Sequence, residues 1–129
     1  MPEAQRVVAV DSVKGGATPQ KTAALGNTGT VGVAKPCRLS MLVLSNEHTA
    51  AQWVKVYNKA SAPSASDTPL MMVLVPAGSS FPVPIPPQGL QFSAGLSFRG
   101  TGPTGVADNA TTATTATTLY ASFAATPAS

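Results

Sequence analysis

Prolines alternate with apolar residues over residues 81–87, and this alternation excludes most of the places that the segment could take in a fold. In an extended chain every second backbone N–H group points to the same side, and proline has no N–H group. One side of the segment therefore lacks hydrogen-bond donors at Pro82, Pro84 and Pro86. This confines the segment to a sheet edge or a polyproline stretch that is blocked against pairing on that side. The apolar residues between the prolines share one face that can still cover a core: Phe81, Val83 and Ile85.

Two other runs alternate between apolar and polar residues with the period of a β-strand. Residues 90–99 predict a strand with one dry face (Leu90, Phe92, Ala94, Leu96, Phe98) and one solvated face (Gln91, Ser93, Gly95, Ser97, Arg99). Residues 51–59 place Val54 and Val56 on one face, and Trp53, Lys55 and Tyr57 on the other.

Three apolar runs predict further strands, at residues 37–45, 70–75 and 119–124. The run at 70–75 is apolar on both faces, so we expect it to be a central strand or a strand with an external partner. No segment longer than about ten residues carries apolar residues at helical spacing. We therefore predict an all-β fold, an antiparallel β-sandwich or jelly roll of about six to eight short strands with an extended N-terminal arm.

The first 36 residues are the least regular part of the chain. Residues 6–10 predict a short strand, because β-branched residues suit the pleat. Residues 11–32 are rich in glycine, threonine and alanine and predict a long loop or an arm that packs on something else. We divide the chain into an N-terminal strand and arm at 1–36 and a β-sandwich at 37–129, which form one structural domain. Within the sandwich, the Ala-Thr-Thr repeat at 110–118 predicts a mobile loop or an irregular edge.

Side chains for catalysis or metal binding are scarce. Charged residues make up 10% of the chain, against about 25% in ordinary globular proteins. The single cysteine, Cys37, excludes an intramolecular disulfide, and the single histidine, His48, meets no zinc spacing rule. These two residues lie near opposite ends of one predicted strand, about 30 Å apart, so they cannot form a catalytic dyad within it. We predict a protein that is not an enzyme, with no catalytic residues, no cofactor and no metal site.

The chain is basic, with a net charge of +3 and a pI of about 9.4. Lys55 and Lys59 flank Tyr57 beside Trp53, an arrangement that can stack and neutralise a nucleic acid strand. Eight basic residues are few for binding driven by counterion release, which counts against a nucleic acid partner. The alternatives are a solvated face or a patch that meets an acidic protein surface. The chain has no apolar run near 18 residues and no apolar signal-peptide core, so we expect no membrane span and no membrane partner.

Several short motifs follow one another through the middle of the chain. A Trp-x-Lys-x-Tyr strand precedes a DTP turn, a PAG turn, a GL-x-F-x-x-GL strand and an ADN-x-TTA loop. In this order, over residues 51–98 and 107–113, the chain resembles small virion proteins of tailed bacteriophages and prophages. The residues that carry the resemblance are Trp53, Lys55, Tyr57, Asp67, Pro69, Pro76, Gly78, Gly89, Leu90, Phe92, Gly95, Leu96 and Asp108. The proline edge and the Ala-Thr-Thr repeat depart from the usual pattern.

The resemblance implies a non-enzymatic structural protein of the virion, most simply a capsid decoration or cement protein. Such a protein is made in the host cytoplasm, lies on the outer capsid surface, binds the major capsid protein and stabilises the shell. Its expected partners are the major capsid protein or another virion protein, and further copies of itself as a dimer or trimer. The alternatives are a tail, neck or fibre-associated β-protein, and a carbohydrate- or host-binding module that uses Trp53 and Tyr57 for stacking.

The residues that we expect at protein interfaces come from three places. They are the N-terminal arm (Val7, Val8, Val10, Lys14, Lys21), the strand that is apolar on both faces (Met71, Met72, Val73) and the proline edge (Pro82, Pro84, Pro86).

Overall fold

The computed structural model describes residues 17–104, 106 and 119–128, and these residues form nine β-strands and no helix. The prediction of an all-β fold is therefore confirmed. The strands are β1 (Thr18–Lys21), β2 (Thr30–Val33), β3 (Cys37–Asn46), β4 (Gln52–Asn58), β5 (Met71–Val75), β6 (Ser79–Pro82), β7 (Leu90–Phe92), β8 (Leu96–Thr101) and β9 (Leu119–Pro127).

The strands form two antiparallel sheets with the nested pairing of a jelly roll. Sheet A has the order β1-β9-β3-β6, and β7 also pairs with β3; sheet B has the order β2-β8-β4-β5. Because β6 and β7 lie one after the other along β3, they act as one interrupted strand. The chain then pairs β1 with β9, β2 with β8, β3 with the β6–β7 strand, and β4 with β5. This is the double Greek key of eight-stranded jelly rolls.

The core lies between the two sheets and is built from alternate residues of their inner faces. Phe98 of sheet B and Phe123 of sheet A meet at its centre, with ring centroids 5.7 Å apart and the rings tilted by 46°. Both rings are fully buried. Tilted aromatic pairs at this separation stabilise a fold by about 0.5–1.5 kcal/mol beyond the burial of their area.

The segment 11–32, predicted as a loop or a packed arm, contains β1 and the first three residues of β2, so the prediction of a loop is wrong for Thr18–Lys21 and for residues 30–32. Each of these strands has only four residues, and each pairs with a strand from the C-terminal part of the chain, β9 or β8. Periodicity within four residues is too short to show in the sequence. The predicted strand at 6–10 and the Ala-Thr-Thr repeat at 110–118 lie outside the described residues.

The strand predicted at residues 90–99 is two strands in different sheets. β7 pairs with β3 in sheet A, and β8 pairs with β2 and β4 in sheet B. The chain crosses between the sheets at residues 93–95, where the N–H groups of Ala94 and Gly95 donate to Asn58 Oδ1 (2.8 and 3.3 Å). Ala94 is consequently exposed, and Gly95 is buried, which reverses their predicted positions. The solvated face predicted at Ser97 and Arg99 is also wrong, because both side chains are buried.

The proline segment lies at an edge of sheet A, as the alternation predicts. The Val83 N–H group donates to Leu42 O of β3 (2.9 Å), so the nitrogens of Pro82 and Pro84 on either side of it point to the free edge. Val83 packs against the core, as does Ile85 two residues further on. Phe81 differs from the prediction, because its side chain is 38% exposed.

Two glycines in left-handed conformations provide a matched test of how closely the turn before β7 packs against β3. Gly89 (φ +83°) follows the proline segment, and a Cβ there would lie 2.7 Å from Arg38 Cγ and 2.9 Å from Leu39 O. Gly78 (φ +65°) has no atom within 4 Å of that position. Gly78→Ala should cost about 1 kcal/mol for the left-handed backbone. Gly89→Ala should cost the same plus about 1–3 kcal/mol of overpacking.

Urea unfolding of the two variants measures this difference in the free energy of unfolding. Equal losses for Gly78→Ala and Gly89→Ala would contradict the close packing of the turn against β3.

Candidate functional site

The structure places the predicted interface residues on different surfaces. Val7, Val8, Val10 and Lys14 lie outside the described residues. Lys21 is exposed on β1, and its Nζ atom lies 4.3 Å from the ring centroid of Tyr120 on β9. The three prolines of the edge segment, Pro82, Pro84 and Pro86, are exposed beside β3. The three residues of the apolar strand, Met71, Met72 and Val73, are divided between its two faces.

β5 is the edge strand of sheet B, so the alternative of a central strand is wrong for this segment. Met71 and Val73 face inward and pack against the core. The outer face of β5 and the residue before it carry Leu70, Met72 and Leu74, which are 58%, 37% and 43% exposed. We call these three residues the β5 ridge. One apolar face of this run therefore packs on the core, and the other is the exposed β5 ridge.

The outer face of sheet B is covered where the strands are central. Lys55 and Tyr57 of β4 and Arg99 of β8 are buried, so the alternative of a solvated face is wrong for the two β4 residues. Arg99 Nη1 donates to Tyr57 Oη (3.1 Å), and Arg99 Nε donates to the backbone oxygen of Asn27 (2.9 Å). The loop before β2 therefore lies against this face and is held there by a charge-assisted hydrogen bond.

A second loop closes over the same region. Pro63, from the loop between β4 and β5, is buried, and its backbone and ring lie against Gly29 so closely that a Cβ on Gly29 would overlap them. Tyr57 thus cannot serve as a stacking platform. Trp53 is half-buried, and its Nε1 donates to the backbone oxygen of Pro103 (3.2 Å). Of the two aromatic residues predicted as candidates for carbohydrate or nucleic acid stacking, only Trp53 is partly exposed.

Asn46 has a structural role that the sequence pattern did not reveal. It is 1% exposed, and its Nδ2 donates to Ala50 O (2.9 Å) and Val75 O (3.1 Å). Its Oδ1 accepts a hydrogen bond from the His48 N–H group (3.0 Å). One side chain thus joins the end of β3, the following turn and the end of β5. The only signal in the sequence is an asparagine at a turn, which many turns share.

Cys37 and His48 lie at the start of β3 and in the turn that follows β3. Burial raises the pKa of the Cys37 thiol, which lowers its thiolate fraction. His48 Nδ1 accepts a hydrogen bond from the Ala50 N–H group (3.1 Å) within the turn. Among the described residues, no three histidine, cysteine, aspartate or glutamate side chains are grouped so that they could hold a metal ion.

A shallow groove of about 530 Å³ lies where β3 begins and β9 ends. It is lined by Pro36, Cys37, Arg38, Gln91, Phe92, Ser93, Thr126, Pro127 and Ala128. Its lining includes no carboxylate and no histidine, so it offers no acid–base pair.

Comparison of the chain with models of known families, with curated proteins and with solved structures finds no match. Within the described residues, there is no helix of the length and apolarity needed to span a membrane.

Tyr57 and Ser97 are opposite each other in the β4–β8 register, and removal of their two hydroxyl groups should have opposite effects. Tyr57→Phe removes the acceptor of a buried guanidinium N–H group, which should cost about 1–3 kcal/mol. The Ser97 hydroxyl is buried and has no hydrogen-bond partner among the described residues, so Ser97→Ala should be neutral or stabilising. Urea unfolding of the two single variants measures both changes, and a loss in Ser97→Ala as large as in Tyr57→Phe contradicts the assignment.

Asp67 should make the stability depend on pH, because its carboxylate holds the loop between β4 and β5. Its Oδ2 accepts from Lys59 Nζ (2.7 Å) and from the Ser64 N–H group (2.8 Å). These bonds, first that to Lys59, lower the pKa of Asp67 from its ordinary value of 3.8. The carboxylate therefore contributes its full stability above pH 3.8, and this contribution is lost as the pH falls through the lower pKa of the folded state.

Wild type and Asp67→Asn should accordingly differ in free energy of unfolding at neutral pH and converge in strong acid. Urea unfolding across this pH range tests the claim. A difference that stays constant with pH would show that the carboxylate charge contributes nothing.

Proposed function

We propose that this chain is a non-enzymatic structural protein of a virus particle, a capsid decoration or cement protein. In this function it lies on the outer surface of the shell, contacts the major capsid protein and its own copies, and stabilises the shell. The observation that carries the proposal is a jelly-roll sandwich whose edge strand β5 presents an exposed apolar ridge.

The fold supports this proposal by analogy. Jelly rolls recur in viral capsid proteins, and they also occur in lectins and cupins, so the topology narrows the function without determining it. The motifs from Trp53 to Leu96 that resemble small phage virion proteins fall on β4, on β7, at the start of β8 and in the loops on either side of β5. They therefore include residues of both sheets.

The surface chemistry also supports assembly. Large permanent interfaces are depleted in charged residues and enriched in apolar side chains such as methionine. The β5 ridge has this composition, and Leu70, its most exposed member, is 58% accessible. The proline segment presents an edge that cannot donate hydrogen bonds over Pro82 and Pro84, which protects one side of the sandwich against unspecific strand pairing.

A tail, neck or fibre-associated protein is the second candidate, and it needs the same rigid sandwich and the same apolar contacts. The two virion locations differ in copy number, because a shell has many equivalent positions for a decoration protein and a tail structure has few.

A carbohydrate-binding module is the third candidate, since lectins share the jelly roll. Its aromatic platform would depend on Trp53 alone, because Tyr57 is buried. Binding of a glycan by the isolated chain that is lost in Trp53→Ala would favour this candidate over the two virion locations.

Quantitative mass spectrometry of purified particles tests the decoration function. We expect a copy number close to that of the major capsid protein or a simple fraction of it, and density for the sandwich on the outer shell in electron micrographs. Particles assembled without the protein should lose shell integrity at a lower temperature than complete particles. A few copies per particle, found also in capsid-free tails, would favour the tail location, and absence from purified particles would exclude both.

A further inference from the structure

With β6 and β7 counted as one interrupted strand, four described strands border the two sheets, and three of them carry features that oppose pairing with another chain. β1 contains Pro19 and ends with the exposed Lys21. β2 has an irregular register between Val31 and Val33. β6 continues into the proline segment at residues 82–87. Prolines, charged side chains and bulges are the features by which natural sheets protect their edges.

β5 carries none of these features. It has no proline and no charged residue, and it pairs with β4 from Gln52–Val75 to Val56–Met71 without a register shift. Among the described hydrogen bonds, the one contact of β5 outside β4 is at Val75, whose oxygen accepts from Asn46. Every second residue of 71–74 directs its N–H and C=O groups away from β4, and among the described residues no strand pairs with them, so another strand can.

The β5 ridge extends to both sides of Met72: Leu74 follows it by two residues on the outer face of β5, and Leu70 lies in the bend before the strand, where its N–H group donates to Val56 O of β4 (2.7 Å). We propose that two copies of this chain pair through β5 in antiparallel register, with Met72 of each copy opposite Met72 of the other. Leu74 of one copy then faces the bend that carries Leu70 of its partner, so all three ridge residues gain apolar neighbours across the interface. A two-fold interface needs such a self-complementary surface.

The charge distribution favours a second copy as the occupant. The chain has a net charge of +3, so contact between two copies is opposed by repulsion wherever basic residues meet. Residues 70–75 contain no charged side chain. Pairing through β5 therefore joins two basic molecules along a segment that has no charged side chains.

The contact is small compared with the roughly 800 Å² per partner of a standard stable interface. We therefore expect weak dimerisation of the isolated chain in dilute solution, and stronger pairing where copies are held close together on a particle. The inference deepens the proposed function by assigning its self-association to one strand. It is tested on the isolated chain, so its failure is distinguishable from failure to bind a shell.

Disulfide formation tests the register directly. Residues that are directly opposite in an antiparallel pair have Cα atoms about 4.5–5.5 Å apart, within the range that a disulfide spans. Under mild oxidation at high concentration, Met72→Cys should form a disulfide dimer. Met41→Cys is the matched control, because Met41 is similarly exposed (42%) but lies on β3 of sheet A. Wild type controls for Cys37, which is buried.

Mixing experiments fix the direction of pairing. A mixture of Leu70→Cys and Leu74→Cys should give the mixed dimer, while either variant alone should give little, because its two cysteines lie about 13 Å apart along the strands. The proposal is overturned if the Met72→Cys variant forms disulfide dimers no faster than the Met41→Cys variant, or if the Leu70→Cys variant links to itself as readily as to Leu74→Cys.

Sedimentation equilibrium provides a second readout. Leu74→Lys introduces a charge into the apolar contact and should raise the dissociation constant of the dimer at least about tenfold, a change of about 1.4 kcal/mol. Met41→Lys should leave the constant unchanged. Urea unfolding of both variants verifies that they fold. Equal self-association of the two folded variants would overturn the proposal.

Discussion

The antiparallel ladder between β3 and β9 is the contact on which the rest of the sandwich depends. It joins segments that are far apart in sequence, from Cys37 opposite Pro127 to Asn46 opposite Leu119. β9 carries β1 on its other side, and β3 carries β6 and β7, so every other strand of sheet A is attached to this pair. The inner face of the same ladder provides much of the core that covers sheet B. Such non-local pairing carries a large loop-closure cost before any contact compensates for it.

Buried polar side chains determine how the loops lie on this framework. Burial of a guanidinium group is costly unless its N–H groups are hydrogen-bonded, so Arg99 holds Tyr57 and the Asn27 backbone in defined positions. Asn46, at the end of β3 in sheet A, donates a hydrogen bond to Val75 O and so fixes the end of β5 in sheet B. Met72 of β5 lies opposite the buried Lys55 of β4. The β5 ridge therefore lies on a strand that is paired with the buried strand β4 and fixed by Asn46 at its C-terminal end. Such support suits a surface that must keep a fixed shape.

The sequence predicts those parts of the fold in which a local residue pattern has a single physical explanation. The proline alternation reports directly on missing N–H groups, so the edge position of residues 82–86 could be read from the chain. The outward faces of β4 and β8 could not, because Lys55 and Arg99 are polar residues whose burial depends on loops from other parts of the sequence. β1 and β2 could not be predicted either, since four-residue strands such as Thr18–Lys21 show too little periodicity. The β5 ridge was predicted as an apolar run, but which of its residues are exposed follows only from the position of β5 at the edge.

The distribution of edge features also determines what kind of assembly the chain can form. A sandwich with an open sheet edge at each of two opposite sides could bind a further copy at each edge. Such a protein could grow into a fibre, as strands do in cross-β assemblies. In this chain Pro19 and Lys21, the irregular β2 and the proline segment protect the other borders of the two sheets. Among the described strands one edge is open, and pairing with a second copy uses it fully, so growth through these strands stops at the dimer. A protein with few charges to keep its copies apart therefore relies on backbone chemistry at its edges to limit its association.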